Sequence, residues 1–161
     1  MAEMTMKYPL TKMNFIVDIE GATGGAFSEV TGMEATVDVI EFRQGNSNSL
    51  APMKIPGLVK HGNVTLKNGY VTGTELKKWI IQCVSDRRTE KIVKKDISIE
   101  LIDISDSAPT SVSETASAAG ITWILKNAWV TKYSAPDLNA STSEVAIETL
   151  EIAYEELTVA K

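Results

Sequence analysis

Asn127-Ala128-Trp129-Val130-Thr131-Lys132-Tyr133-Ser134-Ala135-Pro136-Asp137-Leu138-Asn139-Ala140, followed by the run from Glu144 to Leu157, decides how this chain reads. A strand-like stretch bearing Trp129 and Tyr133 stops at a proline turn. A second, longer one, dense in glutamate, carries the chain nearly to its last residue. Its apolar phase moves from Val145 and Ile147 to Leu150, Ile152 and Tyr154, which predicts a bulge near Glu148-Thr149. No catalytic signature sits on either arm or in the turn. Two long strands of this kind are material for a sheet that continues beyond the molecule.

Upstream the pattern is also mostly β. Asn14 to Glu20 alternates, with Phe15, Val17 and Ile19 on one face, and is followed by a Gly21-Ala22-Thr23-Gly24-Gly25 hairpin turn. Ala26 to Thr31 reads as a short strand ending at Gly32. From Ala35 to Arg43, Val37 and Val39 lie on one face and Ile40 and Phe42 on the other, so the strand has either a bulge or apolar contacts on both sides. Gln44 to Leu58 is a long excursion whose prolines exclude a central strand. Gly62 to Lys67 and Asp96 to Ile104 are strands. Between them Thr72 and Glu75 form a capping box, and Leu76, Trp79, Ile80 and Cys83 recur at helical spacing, with Lys77, Lys78 and Gln82 facing water and Asp86-Arg87-Arg88 ending the helix. The low-complexity stretch Ser105 to Gly120 predicts a mobile loop. The sum is seven strands and one helix in an antiparallel sandwich or barrel.

Composition narrows the function. The chain has 161 residues, 43% of them hydrophobic, enough for one core without a metal or disulfide staple. A net charge of −5 argues against direct duplex nucleic-acid binding. A lone Cys83 excludes an internal disulfide and a cysteine-rich zinc site. No run approaches a membrane span, and Met1 to Thr11 holds no signal-like apolar block, so synthesis in the cytosol and no direct membrane insertion are expected.

Candidate chemistry is thin. The glycine turn lacks the lysine and helix of a phosphate loop. His61, the single histidine, reads as an exposed turn residue, and Cys83 as a core residue. Glu144, Glu148, Glu151, Glu155 and Glu156 read as a solvated acidic face. No catalytic, cofactor or metal site is expected. By contrast, Met53, Ile55 and Leu58 on the excursion, with Ile40 and Phe42 on the second face of their strand, are apolar groups that call for a partner, best supplied by identical copies.

The motifs point further. Phe27-Ser28-Glu29-Val30-Thr31-Gly32-Met33 and Val39-Ile40-Glu41-Phe42-Arg43-Gln44-Gly45 resemble the opening of the tail-tube proteins of contractile phages and phage-like injection systems. Lys54-Ile55-Pro56-Gly57-Leu58-Val59-Lys60-His61-Gly62-Asn63-Val64-Thr65-Leu66-Lys67 is similar to a second family motif, and Asn127 to Ala140 with Glu144 to Glu151 to a third. The resemblance covers nearly the whole chain, in order. It implies a single tail-tube domain over 1–161, a β-barrel or sandwich with one flanking helix, related to the hemolysin-coregulated protein of type VI secretion.

The extended hairpin and loop would span 39–58, the helix 74–85 and the flexible loop 105–120. The resemblance also implies hexameric rings joined into an inner β-barrel and stacked into a tube. A sheath, a baseplate hub, and tape-measure or terminator proteins would be its partners, and DNA or effector cargo would pass through the lumen without specific binding. Assembly would take place in the bacterial cytoplasm, and the subunit would then form part of a tail or injection particle. By the same resemblance, the hairpin residues Ile40, Phe42, Arg43, Met53, Lys54, Ile55, Pro56 and Leu58 would contact neighbouring copies. Tyr133, Pro136, Asp137, Leu138 and Asn139 would form the turn at a ring-stacking or subunit contact. The chain departs from the family pattern at Ser105 to Gly120, where a short glycine turn is common, and at Val130, where proline is common.

Overall fold

In a computed structural model the described residues are 10–22, 27–69, 75–86, 91–102 and 119–160. The architecture follows from strands that alternate buried and exposed side chains. In β5 (Val64–Gly69), Val64, Leu66 and Asn68 point inward, and in β8 (Ile147–Ala153), Glu148, Leu150 and Ile152 do so. In β6 (Lys95–Ile102), Ile97 and Ile99 fill the same core.

The strands build two antiparallel layers. In one, β1 (Phe15–Ile19) pairs with β6, β6 with the first part of β7 (Ala119–Ser134), and β7 with β9 (Glu156–Ala160). In the other, the second part of β7 pairs with β8, β8 with β5, and β5 with β2 (Phe27–Thr31). The one helix among the described residues, α1 (Glu75–Val84), lies on β7 and buries Leu76, Trp79, Ile80 and Cys83. The Trp79 indole donates to the Val93 carbonyl at 2.8 Å. Burial pushes the Cys83 thiol up from its ordinary range, which suits a packing residue rather than a nucleophile.

β7 serves both layers by bending at Asn127. The register passes from Ile97↔Leu125 to Lys95↔Ala128, so β7 carries one residue more than β6 there. Asn127 takes it up at φ 53°. Its amide donates to Asp96 Oδ1 at 3.1 Å and its side chain to Glu155 Oε2 at 2.9 Å. Lys94 first, and Asn127 second, hold the Glu155 carboxyl below the usual carboxylate range.

The acidic stretch Glu144 to Leu157 is two strands, not one, separated where the Glu155 amide donates to the Lys126 carbonyl at 3.0 Å. The bulge expected near Glu148-Thr149 is absent: β8 runs in unbroken register with β5 from Gly69↔Ile147 to Val64↔Ile152. The apparent change of phase has another cause. Val145 precedes the strand, Ile147 faces outward, and a glutamate occupies the core position between them and Leu150. The irregularity lies instead on β7, where Thr131 is extra between Val130↔Ile152 and Lys132↔Glu151.

Two further strands, β3 (Ala35–Phe42) and β4 (Met53–His61), form a sheet of their own. The excursion expected from Gln44 to Leu58 therefore becomes a shorter loop and then a strand. Pro56 is tolerated because both members of a two-stranded ribbon are edges. Thr72 of the capping box, Arg87, Arg88, Thr23 to Gly25 and most of the expected loop over 105–120 lie outside the described residues. Ala119 and Gly120 already belong to β7.

The bend generates a prediction. Asn127→Ala should lower the unfolding free energy of the unassembled subunit in urea by about 1–2 kcal/mol, because alanine tolerates positive φ poorly. Asn127→Gly should recover the backbone part of that loss.

Candidate assembly interface

The ribbon β3–β4 has no one-sided amphipathicity. Cross-strand partners share a face, so Ile40, Phe42, Met53 and Ile55 lie together on one side toward the tip. Val37, Val39, Pro56 and Val59 lie together on the other side, nearer the root. β4 carries one extra residue, at Gly57-Leu58 opposite Asp38, which keeps both faces in phase. A Cβ on Gly57 would stand 2.9 Å from the Asp38 carbonyl oxygen, so the bulge needs glycine. Leu58 is 76% exposed, and the other apolar side chains named here are about half exposed. The change of face read in β3 is thus a strand with two apolar sides. Val37, Val39 and Val59, which sequence reasoning did not select as contacts, supply the exposed apolar groups of the ribbon's other side.

The tip is ordered by its own polar groups. Arg43 donates from Nε to the Ser49 carbonyl at 3.1 Å and from Nη2 to the Ser47 carbonyl at 3.4 Å. Ser47 and Ser49 hydroxyls accept from the amides two residues on. Arg43 therefore shapes the loop on its own subunit. The root is fixed to the body. Gly32 turns β2 into β3 at φ +87°, where a Cβ would stand 2.5 Å from the Asn63 carbonyl oxygen. The Tyr154 hydroxyl donates to the Glu34 carbonyl at 3.2 Å, and burial raises the phenol's pKa. His61 is not an exposed turn residue: it is half-buried at the end of β4, its ring 5.1 Å from that of Tyr154.

The second candidate surface is the turn between β7 and β8. Asn139 organises it, its side-chain oxygen accepting from the Ser141 amide at 2.9 Å. Leu138 projects into water at 88% exposure, beside exposed Asp137 and half-buried Pro136. Tyr133 faces the body, its hydroxyl 3.4 Å from Glu148 Oε1 and its ring 5.4 Å below the Lys77 ammonium. Glu148 is fully buried and ion-paired with Lys77, so neither residue is the solvated group expected from the sequence. A lysine long enough to reach from α1 into the sheet made this possible, and no periodicity in either segment signals it. Of the other glutamates in that set, Glu144, Glu155 and Glu156 are exposed as expected, and three have partners: Glu151 with Asn63, Glu155 with Lys94, and Glu156 with Lys126.

Among the described residues no three His, Cys, Asp or Glu side chains are grouped to hold a metal, and no helix is long and apolar enough to cross a membrane.

The family model for the T4-like virus tail tube protein gp19 matches residues 11–158. The chain belongs to this tail-tube family. Solved structures agree. The chain is similar to a protein of an extracellular contractile injection system, the PVC sheath–tube complex in its extended state, with 27% identity, 96% of this chain and 93% of that one covered, and a TM-score of 0.74. It is similar to a protein of the PVC sheath/tube terminator at 26% identity, covering 96% and 99%, with a TM-score of 0.72. It is also similar to a protein of the anti-feeding prophage tube-terminating cap at 25% identity, covering 99% of both chains, with a TM-score of 0.75. The fold alone extends to a type six secretion system protein, at 12% identity, 90% and 81% coverage and a TM-score of 0.51. A search of the curated proteins gives no match.

Within a tail-tube protein, the two charged groups under β8 are internal scaffolding. Lys77→Met should destabilise the subunit by about 3 kcal/mol, because it strands a buried carboxylate. Lys78→Met, on the exposed helix face, should change stability by less than about 0.5 kcal/mol. Thermal and urea unfolding of both variants checks the contrast.

Proposed function

We propose that the chain is the repeating subunit of the inner tube of a contractile injection machine, folded as one domain over 1–161. In this reading, hexameric rings assembled in the bacterial cytoplasm stack into a hollow tube. A sheath surrounds the tube, a baseplate and a terminator bound it, and it is driven through a target envelope with cargo inside. The role is mechanical, without catalysis. The observation that carries the reading is the two-sided apolar ribbon on a tail-tube fold. A strand pair with greasy side chains on both faces is satisfied only when something covers both faces, and a subunit between two others supplies that.

The energetics fit repetition. Each half-exposed Val, Ile, Leu, Met or Phe that becomes buried recovers about 1 kcal/mol, so eight of them contribute on the order of 8 kcal/mol per subunit before the costs of association. Main-chain pairing adds about 0.5–1.5 kcal/mol per bond. Ile40, Phe42, Met53, Ile55 and Leu58 supply the apolar contact, with Lys54 and Pro56 between them. Pro136 to Asn139 form a second contact.

Negative-stain electron microscopy of the purified protein should show sixfold rings or tubes of uniform bore. A protein that stays monomeric in every condition, and with sheath and baseplate proteins present, would count decisively against this function. Isolated rings that never stack would favour a terminal-ring protein, as in the terminator and cap relatives. Phe42→Asp and Leu58→Asp should each leave the circular dichroism spectrum and melting temperature of the subunit near wild type, yet abolish tubes, because a buried unpaired carboxylate costs several kcal/mol, on the order of 2–7. Wild-type tube lengths from either variant would remove these residues from the contact.

A further inference from the structure

Phe42 and Met53 stand directly opposite each other in the ribbon β3–β4, and Ile40 and Ile55 form the next pair on the same face. Met53 opens β4, so it is the first side chain of this face after the tip loop that Arg43 braces. It is 54% exposed. Among these four side chains the thioether alone reacts with a mild oxidant, and its sulfoxide is polar where the methionine was apolar. The other methionines among the described residues are differently placed. Met13 is 76% exposed but precedes β1, in the layer that does not carry the ribbon. Met33 packs against the core.

We propose that Met53 is an oxidation site that gates assembly: a hydroperoxide converts it to the sulfoxide on the free subunit, and the oxidised arm no longer seats on a neighbouring copy. The proposal rests on the tube reading above. In the reaction a sulfur lone pair attacks the terminal peroxide oxygen. An S–O bond forms and the O–O bond breaks, so sulfur is oxidised by one electron pair and the peroxide is reduced by it. The proton of the transferred oxygen passes to the departing one, which leaves as water or an alcohol. Reversal needs a dithiol, which becomes a disulfide while the sulfoxide oxygen leaves as water, the chemistry of methionine sulfoxide reductases.

The free and assembled states respond differently. On the unassembled arm the thioether and the sulfoxide both stand partly in water, so the fold is indifferent to the change. In the proposed contact the sulfoxide oxygen would enter an apolar setting beside Phe42, Ile40 and Ile55, and a buried acceptor without a donor is costly. Assembly also hides the sulfur. A subunit already in a tube is shielded, and one oxidised beforehand is kept out.

Hydrogen peroxide is the probe, with peptide mass spectrometry reading each methionine and sedimentation and negative-stain microscopy reading tubes. Unassembled wild-type subunits oxidised at Met53 should keep their melting temperature, yet need at least about tenfold more protein to form tubes. Met53→Leu subunits given the same treatment should assemble as untreated ones do, because leucine is close to methionine in volume and inert to peroxide. Met13→Leu should be blocked like wild type. A methionine sulfoxide reductase with dithiothreitol should restore assembly of the oxidised wild type. In preformed tubes Met53 should oxidise at least about tenfold more slowly than in free subunits. If Met53→Leu does not assemble even untreated, a peroxide series on Met13→Leu decides: the fraction that assembles should follow the fraction of Met53 left unoxidised. Full yields of tubes from subunits oxidised at Met53, or a block that persists in Met53→Leu, would overturn the gate. So would Met53 oxidising as fast in tubes as in free subunits. Untreated wild-type subunits that form no tubes would sink the tube reading and this one with it.

Discussion

One strand has to belong to two sheets, and the rest of the molecule is arranged around that demand. β7 pairs with β6 and β9 in its first part and with β8 in its second. A flat strand cannot do this. The extra residue at Asn127, held at positive φ and tied to Asp96 and Glu155, rotates the chain from one layer into the other. Because both layers share β7, their spacing is set by covalent chain, and α1 need only fill the angle between them. Leu76, Trp79, Ile80 and Cys83 do so.

The second constraint is the contrast between a well-filled body and an arm without a core. Val64, Leu66, Leu125, Leu150 and Ile152 are fully buried, whereas the apolar side chains of β3 and β4 stand largely in water. The same residue types are used in both places. In the body their partners are on the same chain, and on the arm the proposed partners belong to another. Anchoring at Gly32, His61 and Tyr154 sets the direction of the arm without covering it.

Much of this was legible in the residues. Strand-like runs identified β1, β2, β5, β6 and β7, and helical spacing placed α1 with its buried face. The two-sided pattern of Val37 and Val39 against Ile40 and Phe42 was a true signal of an arm, although the prolines hid its second strand. The other failures share one physical origin: a polar residue in an apolar position. Glu148 sits in the core phase of β8, so a pattern read by hydrophobicity slipped there and suggested a bulge. Its partner Lys77, two positions from Trp79 on the helix, read as solvent-facing for the same reason. His61 was misread because its half-buried setting depends on Tyr154, distant in sequence. Tertiary pairing of charges and rings leaves no period in the chain, and no propensity argument recovers it.

The loop at the tip of the arm has a kinetic consequence. Arg43 grips the carbonyls of Ser47 and Ser49, and the serine hydroxyls brace the amides that follow. A tip so braced is preorganised, and in the proposed contact it would leave little entropy to be lost. In the proposed tube, addition of such subunits would then be limited by diffusion and orientation rather than by folding of the arm at the growing end.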